Sequence, residues 1–348
     1  MRKQRTWKKS LAAFIAGGML LTGTAYAAPV ELTLDNAVDT ALKNNPAIKV
    51  AESEKKMYDW DLKAKKAATG INITATHTDG WAYLNKSKRL SVYNKFDNKI
   101  NLGWTAYSGG RLENDVKRAQ INQKIYDWAL TKSKYQIRYD VTGAYYDLLY
   151  RRADLNLQEE SLQRVQRHLK NTTAQYNVGV VAKSDVLAVE VLVAGTEQKL
   201  VMAKNTYDVA MARLNSVMGM PLNTELAVAN KMDYSEFKLS LDECIDKAIK
   251  NNPDIRQSVL RIDYADKTKA IAEGQRLPMI NMGLSNSWND NKFPGTSDSN
   301  LAAGITLTWS VFDSGRITAD VRKAEAGVEM AREAQRQIVD ADLLGVRQ

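Results

Sequence analysis

The sequence predicts a mainly helical protein with long coiled-coil hairpins, a four-stranded β contribution and an internal duplication. A heptad seam carries the helical part. Val141, Leu148, Leu155, Leu162, Leu169 and Tyr176 recur every seven residues, with Ile137, Ala144 and Val165 at the intervening three-or-four spacing. Period-two alternation carries the strands: Ile305, Leu307, Trp309 and Val311 fall on one side, and Thr306, Thr308 and Ser310 on the other. The duplication is visible twice. Leu32–Ile48 aligns without a gap on Leu239–Ile255, and the junction Ile100–Arg111 aligns on Ile305–Arg316. A spacing of about 200 residues exceeds the roughly 20–50 of a solenoid unit, so the repeat is half a protein.

The N-terminus reads as a targeting segment. Arg2, Lys3, Arg5, Lys8 and Lys9 precede an apolar stretch from Leu11 to Leu21, and Ala25-Tyr-Ala27 is a small-residue cleavage site. The expected division is therefore 1–27 signal peptide, 28–238 first repeat and 239–348 second repeat. No cysteine stands directly after the cleavage site, so no lipid anchor is expected there. Removing the five basic residues takes the formal charge from +9 to +4, dispersed along helices, which gives no support to nucleic-acid binding. The chain has a single cysteine, so no intrachain disulfide forms, and Cys244 is expected to be a small buried residue. No later run of about 20 apolar residues exists to cross a bilayer as a helix.

Each repeat opens with a short capped helix. Thr33 has the place of an N-cap, and Ser240 with Glu243 has the spacing of a capping box. Asn44-Asn-Pro46 and Asn251-Asn-Pro253 end those helices, and each proline suits the first turn of the next. The helix from Pro46 is expected to reach Thr69. Strands follow at Ile71–Tyr83 and Lys99–Tyr107, joined by a polar connection at Asn85–Asn98. The second copy has strands at Met279–Trp288 and Leu301–Phe312, joined by a loop at Asn289–Asn300.

From Arg111 to Asn177 there is no proline and only Gly143 as an interior glycine, so one helix of about 100 Å is expected, too long for a compact domain. Gly179 can end it, Ser184 or Asp185 can cap its return, and the seam resumes at Val189, Leu192, Thr196, Leu200, Ala203, Tyr207, Ala210, Leu214 and Val217. The return helix, roughly 50 Å, covers half of the long one; the helix from Pro46, roughly 35 Å, partners the other half. Gly219–Lys238 is expected as an irregular collar, and the final helix starts at Arg316. The first repeat continues far past the point equivalent to Gln348, so most of a second hairpin is expected to be lacking.

Strands of roughly ten residues suit a tilted membrane crossing. Trp81, Tyr83, Trp104, Trp288 and Trp309 lie in or near their ends, where an aromatic belt sits at a membrane interface. Thr306, Thr308 and Ser310 are then lumen-facing. Four strands cannot close a barrel, which needs about eight, and open edges in lipid cost several kcal/mol for each unpaired group. Several copies must pool their strands.

At this point the residues resemble the TolC-like outer membrane efflux proteins. The two Leu-Thr/Ser-Leu-Asp…Lys-Asn-Asn-Pro segments, the junctions Trp104–Arg111 and Trp309–Arg316, and the hairpin tip Tyr176–Leu187 carry the resemblance. It implies a homotrimer whose strands form one twelve-stranded barrel in outer membrane lipid, continued by a helical tube through the periplasm. It also implies a periplasmic adaptor (membrane fusion) protein and an inner-membrane pump as partners, in efflux or type I secretion. Adaptor contact maps onto Gly179, Val180, Lys183, Ser184, Asp185 and Leu187. The acidic residues that constrict the entrance in this family map beyond Gln348.

Catalysis finds no footing. His77 and His168 share no metal-type spacing with acidic residues and read as solvated, and no phosphate loop, nucleophile elbow or paired-cysteine motif is present, so no cofactor and no enzyme activity are expected. The rival readings are a periplasmic or surface coiled-coil adhesin or chaperone-like holder with a small soluble sheet, or a nonfunctional truncated remnant.

Overall fold

A computed structural model of the chain describes residues 32–86, 89–229 and 236–348. The expected targeting segment, 1–27, lies outside the described residues. The elements run α1 (Leu34–Asn44), α2 (Pro46–Ala67), β1 (Asn72–Lys86), β2 (Arg89–Tyr107), α3 (Arg111–Asn177), α4 (Lys183–Met218), α5 (Leu241–Asn251), α6 (Pro253–Glu273), β3 (Met279–Asp290), β4 (Asp298–Thr308) and α7 (Arg316–Arg347). Among the described residues, no helix is long and apolar enough to cross a membrane.

The four strands form one antiparallel sheet in chain order, β1-β2-β3-β4. Strands alternate in direction, so α2, α3, α6 and α7 all attach to the same end of the sheet. Beside it the helices pack in the matching order, α2 on α3, α3 on α6 and α6 on α7. The α3 helix is unbroken over 67 residues, about 100 Å, and its far half packs on α4.

Caps set these boundaries. The Thr33 hydroxyl accepts from the Asn36 N–H at 3.3 Å. Ser240 and Glu243 form the reciprocal box, with Ser240 N–H donating to the Glu243 carboxylate at 2.8 Å and Glu243 N–H to the Ser240 hydroxyl at 3.3 Å. Glu243 is consequently held below the usual carboxylate range, first by the backbone bond from Ser240. Gly110 and Gly315, both left-handed, precede α3 and α7. Beside them the Ser108 hydroxyl and the Asp313 carboxylate accept the N–H groups of Leu112 and Ile317, so different residues cap the equivalent helices.

The core sits where α1, α3 and α4 meet. Ala37, Ala41, Val141, Leu148, Leu149, Leu214 and Met218 are fully buried there. The segment after α4 wraps this point as a collar. Leu32 and Val228 form a parallel bridge, the Tyr145 hydroxyl donates to the carbonyls of Leu32 and Ala229 at 3.1 and 3.3 Å, and Arg152 donates to the Val228 carbonyl at 3.0 Å. The end of α4 abuts the start of α2. The Asn45 carbonyl oxygen accepts from Ala47 N–H at 2.7 Å while its amide donates to the Val217 carbonyl at 2.6 Å. One side chain thus caps one helix and terminates another. Gly219 makes the close approach possible: it is left-handed, and a Cβ there would lie 2.6 Å from the Asn44 carbonyl oxygen.

Five expectations need correction. The polar run Asn85–Asn98 is not a loop: β2 begins at Arg89 and pairs with β1 as far as Lys86↔Arg89. Polar Asn94 on one face and Lys95 on the other suit a two-stranded ribbon standing clear of β3, whose pairing with β2 stops at Phe96↔Asp290. In the second copy the turn is likewise shorter than Asn289–Asn300, with β3 reaching Asp290 and β4 starting at Asp298. The strand expected to reach Phe312 ends at Thr308, its partner being Met279, because Pro278 has no N–H to extend the ladder. On α4, Leu192 points outward and is 51% exposed, while Val189 and Thr196 are buried and Val193 half-buried. Lastly, Cys244 is not buried, and α5 has no buried residue at all, whereas its counterpart α1 buries Ala37 and Ala41. The α7 helix, the counterpart of α3, does pack on α5, but the α4 face that helps cover α1 has no counterpart over α5 among the described residues.

Ion pairs lace α2 to α3: Lys55 with Asp127 at 2.5 Å and Lys65 with Asp115 at 2.9 Å. Burial pushes the Asp115 carboxyl up, but hydrogen bonds from Lys65 and Arg118 win and hold it below the ordinary value. In the second repeat, Asp342 on α7 takes the place Ile137 has on α3. Burial pushes its carboxyl up, and nearby Asp254 adds to this. One of its oxygens is sealed from water without a hydrogen-bond partner.

Two outcomes are expected. Replacing Asn45 by alanine lowers stability by about 1–2 kcal/mol in chemical denaturation followed by circular dichroism, and Asn45→Asp, which keeps the cap and loses the amide donor, falls between. For Asp342 the folded-state value is raised, so the native state holds more protons than the unfolded one between that value and 3.8, and wild-type stability falls as pH rises through this window. Asp342→Asn removes that slope: it is more stable than wild type at pH 8, and the difference closes at pH 4.

Candidate transport conduit

The sheet has two chemically distinct faces. In register across it lie Ile73, Leu102, Leu284 and Ala303, flanked by rows containing Ile100, Trp104, Met282, Leu301 and Ile305. These side chains are largely exposed, Ile73 at 68% and Leu301 at 69%. The opposite face carries Asn72, Thr74 and Thr76 on β1, Lys99 and Asn101 on β2, Asn281, Ser285 and Ser287 on β3, and Asn300, Thr306 and Thr308 on β4. Gly103, Gly283 and Gly304 line up across three strands of this polar face, and a Cβ on any of them would meet nothing closer than 3.8 Å. Nothing crowds that row; its missing side chains let the sheet bend. β1 and β4 are edges without a partner among the described residues.

Thr306 and Thr308 therefore stand on the polar face as expected. Ser310 does not: it lies past the end of β4. The five aromatic positions separate into three levels. Trp104 and Trp309 are equivalents at the helical end of the sheet, and each indole N–H donates to the carbonyl of the preceding helix end, Trp104 to Thr69 at 3.3 Å and Trp309 to Arg276 at 3.0 Å. Trp288 stands near the far end of β3. Trp81 and Tyr83, in edge-to-face contact, lie further out on the β1–β2 ribbon beyond the reach of β3. A polar node separates them from the apolar rows. His77 lies 2.8 Å from the Asp79 carboxylate and 2.7 Å from the Asn98 side-chain oxygen, and the Asn98 amide donates to the carbonyls of Pro294 and Gly295. Asn98 thus clasps the β3–β4 loop with His77 beside it; His77 and His168 are both exposed.

At the far end of α3 the tip residues come together in one turn. Gly179 is left-handed, its N–H donates to the Tyr176 carbonyl at 2.9 Å, and Val180 N–H donates to the Gln175 carbonyl at 2.9 Å, a Schellman closure. The helix α4 starts at Lys183, earlier than a Ser184 cap would place it, and Asp185 reaches back to accept the Ala182 N–H at 3.1 Å. Val180 is 70% exposed, and Leu187 stands exposed close by. Sequence reasoning missed the outer part of β2 with its charged pair Lys95 and Asp97, 2.8 Å apart. The alternation from Arg89 onward was the available signal, obscured by the polarity of both faces.

The family model for outer membrane efflux proteins matches residues 37–220 and 244–347. The chain belongs to the outer membrane efflux protein family. It is similar to the outer membrane protein TolC of Escherichia coli (strain K12), 24% identical over 214 residues, or 56% of this chain and 43% of that one. The match thus spans less than half the length of that relative. Vibrio cholerae TolC is 22% identical over 330 residues, 91% of this chain and 73% of that protein. Among solved structures, CusC superposes with a TM-score of 0.76 at 16% identity, over 90% of this chain and 74% of that one. Membership places the chain in the outer membrane, with its helical part in the periplasm, in a family of channels.

Replacing Trp104 or Trp309 by phenylalanine removes one indole hydrogen bond to a helix end, and each substitution is expected to lower the unfolding midpoint in detergent by the equivalent of about 1 kcal/mol.

Proposed function

We propose that this chain forms, as a homotrimer, the outer membrane channel of a tripartite efflux or type I secretion system. Three sheets make one twelve-stranded barrel, and the helices extend it as a passive duct through the periplasm. The observation that carries this reading is a sheet with one apolar face, one polar face and two unpaired edges, standing on helices that all leave from one end. β1 and β4 run in opposite directions, so β1 of one copy continues the antiparallel ladder on β4 of the next. Closure then pairs every edge, which a hydrocarbon environment requires. The apolar face meets lipid and the polar face lines water, as in membrane barrels. Trp104 and Trp309 mark the inner interface and Trp288 the outer one, with Trp81 and Tyr83 above it.

At the other end, Gly179, Val180, Lys183, Ser184, Asp185 and Leu187 contact a periplasmic adaptor, which links the duct to an inner-membrane pump. Exposed Val180 and Leu187 beside a tightly closed turn suit docking into an apolar groove. Energy comes from the pump; the duct needs no cofactor and performs no chemical step. A soluble adhesin or holder would instead bury the apolar sheet face, which here is exposed.

The full chain is expected to fractionate with outer membranes, to require detergent for extraction, to cross-link as a trimer and to conduct in planar bilayers. A chain recovered as a soluble monomer with no conductance refutes the reading. Charged replacements at the tip, Val180→Asp with Leu187→Asp, should abolish cross-linking to the adaptor and leave trimer yield unchanged.

A further inference from the structure

We infer that Lys99 sets the ion preference of the conduit where it crosses the outer membrane. This rests on the barrel reading above, which makes the polar face of the sheet a water-lined wall. On that face, the described strand side chains include four charges: Lys95, Asp97, Lys99 and Asp298. They stand in order. Lys95 is outermost, opposite Gly80; Asp97 and Asp298 share the next row through Asn289; Lys99 lies one row further in, level with Thr76, Ser287 and Asn300. Inward of Lys99 the wall is made of amides, hydroxyls, alanine and glycine, with Met279 beside Thr308 at its inner end, and none of these side chains is charged. A solute moving outward therefore meets Lys99 as its first wall charge.

The other charges do not cancel it in place. The Asp97 carboxylate lies 2.8 Å from the Lys95 ammonium, so those two neutralise each other. Same-face neighbours on a strand are about 7 Å apart, which leaves Asp97 a distant second partner for Lys99. Asp298 lies across β3, about 10 Å away sideways and one row further out, near the screening length of physiological salt. Lys99 itself is exposed on the wall. Three copies place three ammonium groups at one height, and rings of this kind favour anions in pores.

The test uses the full chain in planar bilayers with a tenfold potassium chloride gradient, and reads the reversal potential. Lys99→Gln should lower the chloride-to-potassium permeability ratio, and Lys99→Glu should lower it further, by about threefold or more. Lys99→Arg should leave it at the wild-type value. Intact conductance with an unchanged ratio in both Lys99→Gln and Lys99→Glu overturns the inference and leaves the barrel reading standing. Absence of conductance in wild type overturns the barrel reading and this inference together.

Discussion

The proposed barrel must leave no backbone group unpaired in hydrocarbon, and this chain supplies four strands among its described residues toward that end. The alternation of apolar and polar residues across them is regular enough that Ile73, Leu102, Leu284 and Ala303 form one row, while Asn72, Gly103, Gly283 and Gly304 form another. Because the strands alternate in direction, every connection to a helix leaves from the same end. The helical layer inherits the strand order, and the length of α3 carries that order far from the membrane. Architecture at both ends thus follows from one requirement of backbone pairing.

The joints between sheet and helices, and between one helix and the next, are made by single polar side chains. Trp104 and Trp309 pin the two halves of the sheet to equivalent helix ends with the same hydrogen bond. Asn45 closes the seam between α4 and α2. Packing along α3 then grades from tight to loose: Val141 and Leu148 are fully buried near the collar, and Tyr176 at the tip is exposed. Thr172 and Val186 still hold the hairpin together just below the tip, while Tyr176, Val178 and Val180 at the turn itself are exposed.

The duplication shows how far pattern alone carries a residue. Leu241, Ile245 and Ala248 on α5 repeat the spacing of Leu34, Val38 and Ala41 on α1, yet only the α1 set enters a core. Ile137 on α3 is buried, while at the equivalent place on α7 burial pushes the Asp342 carboxyl up. Matching sequence spacing thus ends in different burial where neighbouring elements differ.

What could be read from the chain by itself is local. The 3.6-residue period, the absence of proline from Arg111 to Asn177, the Asn-Pro breaks, Gly179 and the capping residues each act within a few positions, so the helix boundaries and the two-faced strands at Ile305–Thr308 were legible. The polarity of Asn85–Asn98 concealed a paired ribbon, and the alternation through Ser310 overran a strand that its partner had already left. Which side chains share a row, which charges on the polar sheet face pair closely, and whether an apolar helix face is covered all depend on residues distant in sequence. Only the tertiary structure decided those, because hydrogen-bond register and burial are properties of two elements in contact and not of either one alone.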